Sequence, residues 1–168
     1  MKEIPRHDSM RGEFAYQLYR QMEKDPDIWL ITGDLGFGML DMIKEDFPER
    51  FINTGAAEQV MTGIAVGLAL EGKKPFVYSI TTFLLYRPFE TIRNYVNYEK
   101  ISVRLVGGGR DKDYEHDGFS HWSNDALMVL DKCLPNIQSL WPDTKEDIPE
   151  MVKYMVEDDR PWFISLKR

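Results

Sequence analysis

Residues 51–81 read FINTGAAEQVMTGIAVGLALEGKKPFVYSIT. A short apolar run, Phe51–Thr54, stops at the Gly55 turn; helical spacing then runs over Glu58–Leu70, and a β-branched and aromatic run, Pro75–Thr81, begins after Gly72. Strand, helix and strand in that order predict two parallel strands joined by a covering helix.

The alternation continues outward in both directions. Strands are expected at Ile28–Thr32, Ile101–Val106, Ile137–Trp141 and Trp162–Leu166, and helices at Ser9–Lys24, Met39–Asp46, Phe89–Tyr98, Ser123–Lys132 and Thr144–Glu157. Pro26, Pro48, Pro75, Pro135, Pro142 and Pro161 fall at segment edges, where a missing N–H costs least. The expected fold is α/β, a three-layer sandwich with a mostly parallel sheet covered by helices on both faces. It forms one domain over residues 1–168, with 1–8 as an irregular N-terminal arm.

At 168 residues and 43% hydrophobic content the chain can bury a substantial core, which excludes disorder for most of it. Its 28 acidic against 21 basic residues give a formal charge of −7, opposite to the basic footprint of a nucleic-acid binder. No run approaches the roughly 18 apolar residues of a membrane span, and the first residues carry no hydrophobic signal region. A lone Cys133 permits no internal disulfide, so a cytoplasmic location is expected.

The central helix has two unusual features. Gly63, Ala65, Gly67 and Ala69 alternate with Ile64, Val66, Leu68 and Leu70, so it is apolar nearly all round; it either packs tightly on its own sheet or meets another subunit. Glu58, at its first turn, carries a carboxylate toward apolar surroundings, which is costly unless the group is paired or protonated. Single motifs decide little. The run Gly33–Gly38 lacks the glycine pattern of a dinucleotide loop, and Gly107-Gly108-Gly109 lacks a following Lys-Ser/Thr pair, so both read as turns. His7, His116, His121 and Cys133 have no metal-ligand spacing, and no metal site is expected in this chain.

Seven stretches together carry a resemblance: ITGDLG (31–36), FPERFINTGAAEQ (47–59), GIAVGLALEGKKPF (63–76), TFLLYRPF (82–89), DGFSH (117–121), LPNI (134–137) and WPD (141–143). In order and spacing they resemble the pyrimidine-binding domain of transketolases over residues 9–168. The resemblance implies thiamine diphosphate as cofactor. Glu58 matches the family's glutamate that hydrogen-bonds the pyrimidine N1′ and favours the imino tautomer. Phe83, Tyr86 and Phe89 match the aromatic positions around the aminopyrimidine, with Phe83 ranked first and Phe89 last; Pro88 complicates any single helical face. His121 matches a histidine at the substrate end, and Asp34 an acidic residue after the first strand that contacts substrate or partner. Val60 and the charged loop Arg110–His116 depart from the family pattern.

The family's diphosphate and Mg2+ are held through a Gly-Asp-Gly motif and a later Asn, which this sequence lacks. The resemblance therefore implies a split enzyme in which a separate diphosphate-binding subunit completes a heterodimer or heterotetramer. A third, carboxy-terminal domain of full-length relatives is also expected to be missing. The implied activity moves a two-carbon ketol unit from a ketose or its phosphate to an aldose. Alternatives are a 1-deoxyxylulose-5-phosphate-synthase-like or 2-oxo-acid-dehydrogenase-like subunit, or a non-catalytic module.

Overall fold

The computed structural model describes residues 4–168. Six strands form one sheet: β1 (Ile28–Thr32), β2 (Phe51–Asn53), β3 (Lys74–Ile80), β4 (Arg104–Gly108), β5 (Gln138–Leu140) and β6 (Trp162–Leu166). Their order is β2-β1-β3-β4-β6-β5 and every neighbouring pair is parallel. A row of partners runs across the middle, Leu30–Phe76–Arg104–Trp162.

Parallel strands expose two apolar faces, and helices cover both. On one side α1 (Met10–Met22), α2 (Asp41–Asp46) and α7 (Ile148–Glu157) pack through Phe14, Leu18, Ile43, Val152 and Met155. On the other lie α3 (Glu58–Leu70), α4 (Thr81–Tyr86), α5 (Phe89–Thr91), its π-helical continuation Ile92–Tyr98, and α6 (Ala126–Cys133), packing through Met61, Ala65, Leu84, Ile92 and Leu130. Connections that advance along the sheet cross the α3 face, and those that turn back cross the α2 and α7 face. A single crossover hand requires this division. The chain leaves β1 over one face and β3 over the other, so the loops diverge at their C-terminal ends and open a crevice there.

The observed elements correct several expectations. The strand expected at Ile101–Val106 begins at Arg104 and continues through Gly107 and Gly108, so two residues read as a turn are strand. A Cβ on Gly107 would lie 2.5 Å from Thr81 Oγ1 and 3.0 Å from the Phe163 ring; on Gly108 it would lie 2.8 Å from the Tyr78 hydroxyl. Only Gly109, at φ +84°, is the turn. The run ending at Thr81 gives way at Ile80 to α4, a helix the sequence did not reveal. The helix expected over Phe89–Tyr98 widens into π geometry from Ile92.

Residues 4–8 contain no helix or strand; residues 1–3 lie outside the described residues. Arg110, first residue of the charged loop, turns inward and donates to Ser165 Oγ, Ser165 O and Pro142 O. No helix among the described residues is long and apolar enough to cross a membrane. Gly107→Ala is expected to cost about 1–3 kcal/mol through overpacking; urea denaturation should show a lower midpoint at unchanged slope.

Candidate functional site

The crevice at the C-terminal ends of β1 and β3 is lined by the segments that leave each strand. After β1, Gly33 passes close to α3: a Cβ there would lie 3.2 Å from Gly55 O and 3.8 Å from Glu58 Oε1. Asp34 takes the left-handed conformation at φ 61°. Its N–H and that of Gly55 both donate to Asn53 Oδ1, at 2.9 and 3.0 Å, so one side chain clamps the loops after β1 and β2. Asp34 thus forms a turn whose carboxylate stays at the exposed rim, 3.4 Å from Asn53 Nδ2.

Glu58 opens α3, where the positive end of the helix dipole favours a carboxylate. Its side chain is only 3% exposed. Arg87 Nη1 donates to Oε1 and Oε2 at 2.8 Å each, from a side chain 46% exposed. This reach is possible because α4 ends at Tyr86 and Pro88 starts the next helix, freeing Arg87 at the break. The Arg87 guanidinium carbon also stands 3.7 Å from the centre of the Phe83 ring, a cation–π contact.

Phe83 carries the cluster onward. His121, in a short 3-10 turn after Gly118, meets it edge-on with ring centres 4.8 Å apart. Tyr114 lies 6.3 Å from the same imidazole. Its hydroxyl accepts a 2.9 Å bond from Arg11 Nη1, from the first turn of α1. Contacts therefore run unbroken from Glu58 through Arg87, Phe83, His121 and Tyr114 to Arg11.

Beyond Tyr114 a cavity of about 380 Å³ is lined by His7, Arg11, Phe37, Met39, Tyr78 and Tyr114. Arg11 Nε is buried there without a hydrogen-bond partner, an unusual state for a charged donor. Burial pushes the Tyr78 hydroxyl up to about 12, so it is a neutral phenol near neutral pH. Outside this lining, the Arg168 guanidinium stands 5.3 Å from the Tyr114 ring centre.

Of the sequence candidates, Glu58, Phe83 and His121 belong to this cluster, and Asp34 sits at its rim. Tyr86 and Phe89 do not join Phe83. With the helix broken before Pro88, Tyr86 turns toward α6, where burial and then a hydrogen bond to Asp125 raise its pKa. Phe89 packs on the core beneath α3 and α4. His116 is exposed beside Asp117 and Arg168. Arg87, Arg11 and Tyr114 were not singled out in the sequence. Arg87 is 29 positions from Glu58 and Tyr114 is 103 from Arg11, and only the fold brings them together.

Comparison with known proteins gives one family model, "Transketolase, pyrimidine binding domain", matching residues 9–168. A protein of Methanocaldococcus jannaschii, provisionally named a transketolase C-terminal section, is 30% identical over 163 residues, 96% of this chain and 51% of its own. A protein of Phocaeicola vulgatus, named as one of the subunits of an apulose-4-phosphate transketolase, is 28% identical over 159 residues, 94% of this chain and 51% of its own. A solved structure described as a split-gene transketolase, an inactive β4 tetramer, superposes with a TM-score of 0.83 at 30% identity. The superposition covers 96% of this chain and 52% of that one. The chain thus spans about half the length of the relatives it matches.

Phe83→Leu keeps most of the apolar volume but removes the ring that Arg87 and His121 share. Its expected cost is about 1–2 kcal/mol, the sum of a cation–π and an edge contact, read as a lowered denaturation midpoint.

Proposed function

This chain belongs to the transketolase pyrimidine-binding domain family, and we propose that it binds and activates the aminopyrimidine of thiamine diphosphate in a split transketolase. The observation that carries the reading is a carboxylate 3% exposed at the first turn of an apolar helix, joined through one guanidinium to the face of Phe83. A buried acid beside a planar apolar slot suits a ring that is both stackable and a nitrogen base. Cofactor chemistry of this kind supplies the nucleophilic carbon that breaks and re-forms the bond beside a ketose carbonyl.

The chain's own residues would then divide the work. Glu58 holds or shares a proton at the ring nitrogen. Phe83 offers the face on which the ring rests. His121, edge-on to Phe83, hydrogen-bonds the donor sugar and assists proton transfer. Asp34 contacts substrate or the partner chain at the rim. Tyr86 and Phe89, matched to the ring by resemblance, support the slot from behind through α6 and the core.

Arg11, which lines the cavity beside His7, suits an acidic end of the sugar. The name of the Phocaeicola vulgatus relative, with its phosphorylated sugar, agrees with this.

Diphosphate and Mg2+ fall to a partner chain on this reading. The face of α3 opposite the core supports such a partner: Val60 is 55% and Leu70 68% exposed, and the space above Gly63 and Gly67 is open. The solved relative described as an inactive tetramer of β chains is in keeping with a required second half.

Chain, partner, Mg2+ and thiamine diphosphate together are expected to transfer ketol units from ketose phosphates. Glu58→Ala should lower the rate at least about 100-fold. An unchanged rate refutes the assignment, and consumption of pyruvate alone favours a decarboxylating or deoxyxylulose-phosphate-forming enzyme instead. Gly67→Phe, pointing into open space, should leave the chain's own thermal midpoint nearly unchanged while abolishing co-elution with the partner; intact co-elution would remove α3 from the interface.

A further inference from the structure

Arg87 contacts both groups that the proposed ring requires. One of its nitrogens lies 2.8 Å from each Glu58 oxygen, and its guanidinium carbon lies 3.7 Å from the centre of the Phe83 ring. A guanidinium is planar, bears N–H donors around a delocalised carbon, and both pairs with carboxylates and stacks on aromatic faces. Those are also the properties by which a protonated or imino aminopyrimidine would be recognised. Two planar groups cannot share one carboxylate and one ring face.

We propose that Arg87 is a built-in stand-in for the cofactor ring: in the cofactor-free chain it satisfies Glu58 and covers Phe83, and it must swing out for the aminopyrimidine to enter. The inference rests on the reading of Glu58 and Phe83 given above. Leaving Glu58 buried and unpaired would be costly, so a chain made before its cofactor arrives gains stability from such a partner. The side chain is placed to leave. It springs from the break between α4 and α5 and is 46% exposed, whereas Glu58 beneath it is 3% exposed. The cost of displacing it subtracts from cofactor affinity, as for any competitor held within the same molecule.

The test uses the enzyme assembled from this chain and its partner half. It measures thiamine diphosphate affinity by fluorescence titration with saturating Mg2+, and thermal midpoints with and without cofactor. Arg87→Ala should lower the cofactor-free midpoint yet bind thiamine diphosphate about tenfold more tightly, with a larger midpoint gain on saturation. Arg87→Lys keeps a cation for Glu58 but has no planar face for Phe83. It should restore much of the cofactor-free stability and bind with intermediate affinity. Unchanged or weakened affinity in Arg87→Ala, with Glu58→Gln still impaired, overturns the stand-in while leaving the cofactor reading intact. A wild-type enzyme that does not bind, or Glu58→Gln binding as wild type, overturns both.

Discussion

A carboxylate at the mouth of an apolar helix, almost wholly removed from water, constrains the rest of this structure. Desolvating Glu58 costs several kcal/mol unless compensated; two parts of the chain compensate it and a third lies against it. The N-terminus of α3 supplies a favourable dipole. The loop after β1 lies against the carboxylate at Gly33, where an added Cβ would fall 3.8 Å from Glu58 Oε1. Arg87 supplies a counter-charge because Pro88 interrupts the helix that would otherwise carry it. The sheet order explains why these three meet: they follow β1, β2 and β3, whose connections part to opposite faces and leave the crevice between them.

The same helix shows how one element serves two surfaces. Met61, Thr62, Ala65 and Val66 face the sheet and are buried. Val60, Gly63, Gly67 and Leu70 return at spacings of three and four on the outer side, where the glycines meet nothing within 4 Å. Glycine inside a helix costs about 0.5–1 kcal/mol relative to alanine. The chain's own packing gives no return for that cost at Gly63 or Gly67, whereas close approach of a second backbone would. Gly107 and Gly108 make the contrast, since their missing side chains are required by Thr81, Phe163 and Tyr78 within the chain.

How much was legible in the sequence depends on how local each signal is. Apolar runs bounded by turn residues mark β1 and β6 at their observed limits, and the helical spacing over Glu58–Leu70 marks α3 at both ends. Glycines misled at β4, because turn and strand glycines look alike until the residues facing them are known. Thr81 and Thr82, β-branched and contiguous with a strand, concealed α4. The aromatic trio at 83, 86 and 89 has helical spacing, but Pro88 sends its members in different directions. Glu58 was visible because a lone acid in an apolar run is anomalous by itself. Arg87 and Arg11 were not, since an arginine becomes informative only when its distant partner is known.

A net charge of −7 argues against a nucleic-acid partner, and the same total extended to a small anion would argue against that too. Local geometry weighs against using the total in this way. At physiological ionic strength charges beyond about 8 Å are largely screened, so a ligand's phosphate responds to its immediate walls. Around Tyr114 those walls include Arg11, and the Arg168 guanidinium stands 5.3 Å from the centre of the Tyr114 ring. Four of the 28 acidic residues are neutralised locally away from that cavity: Asp25 and Asp27 with Lys74 and Lys73, Asp158 with Arg160, and Glu13 with Arg6. An acidic protein can thus present an arginine in the wall of one cavity and a carboxylate paired with another arginine beside the crevice.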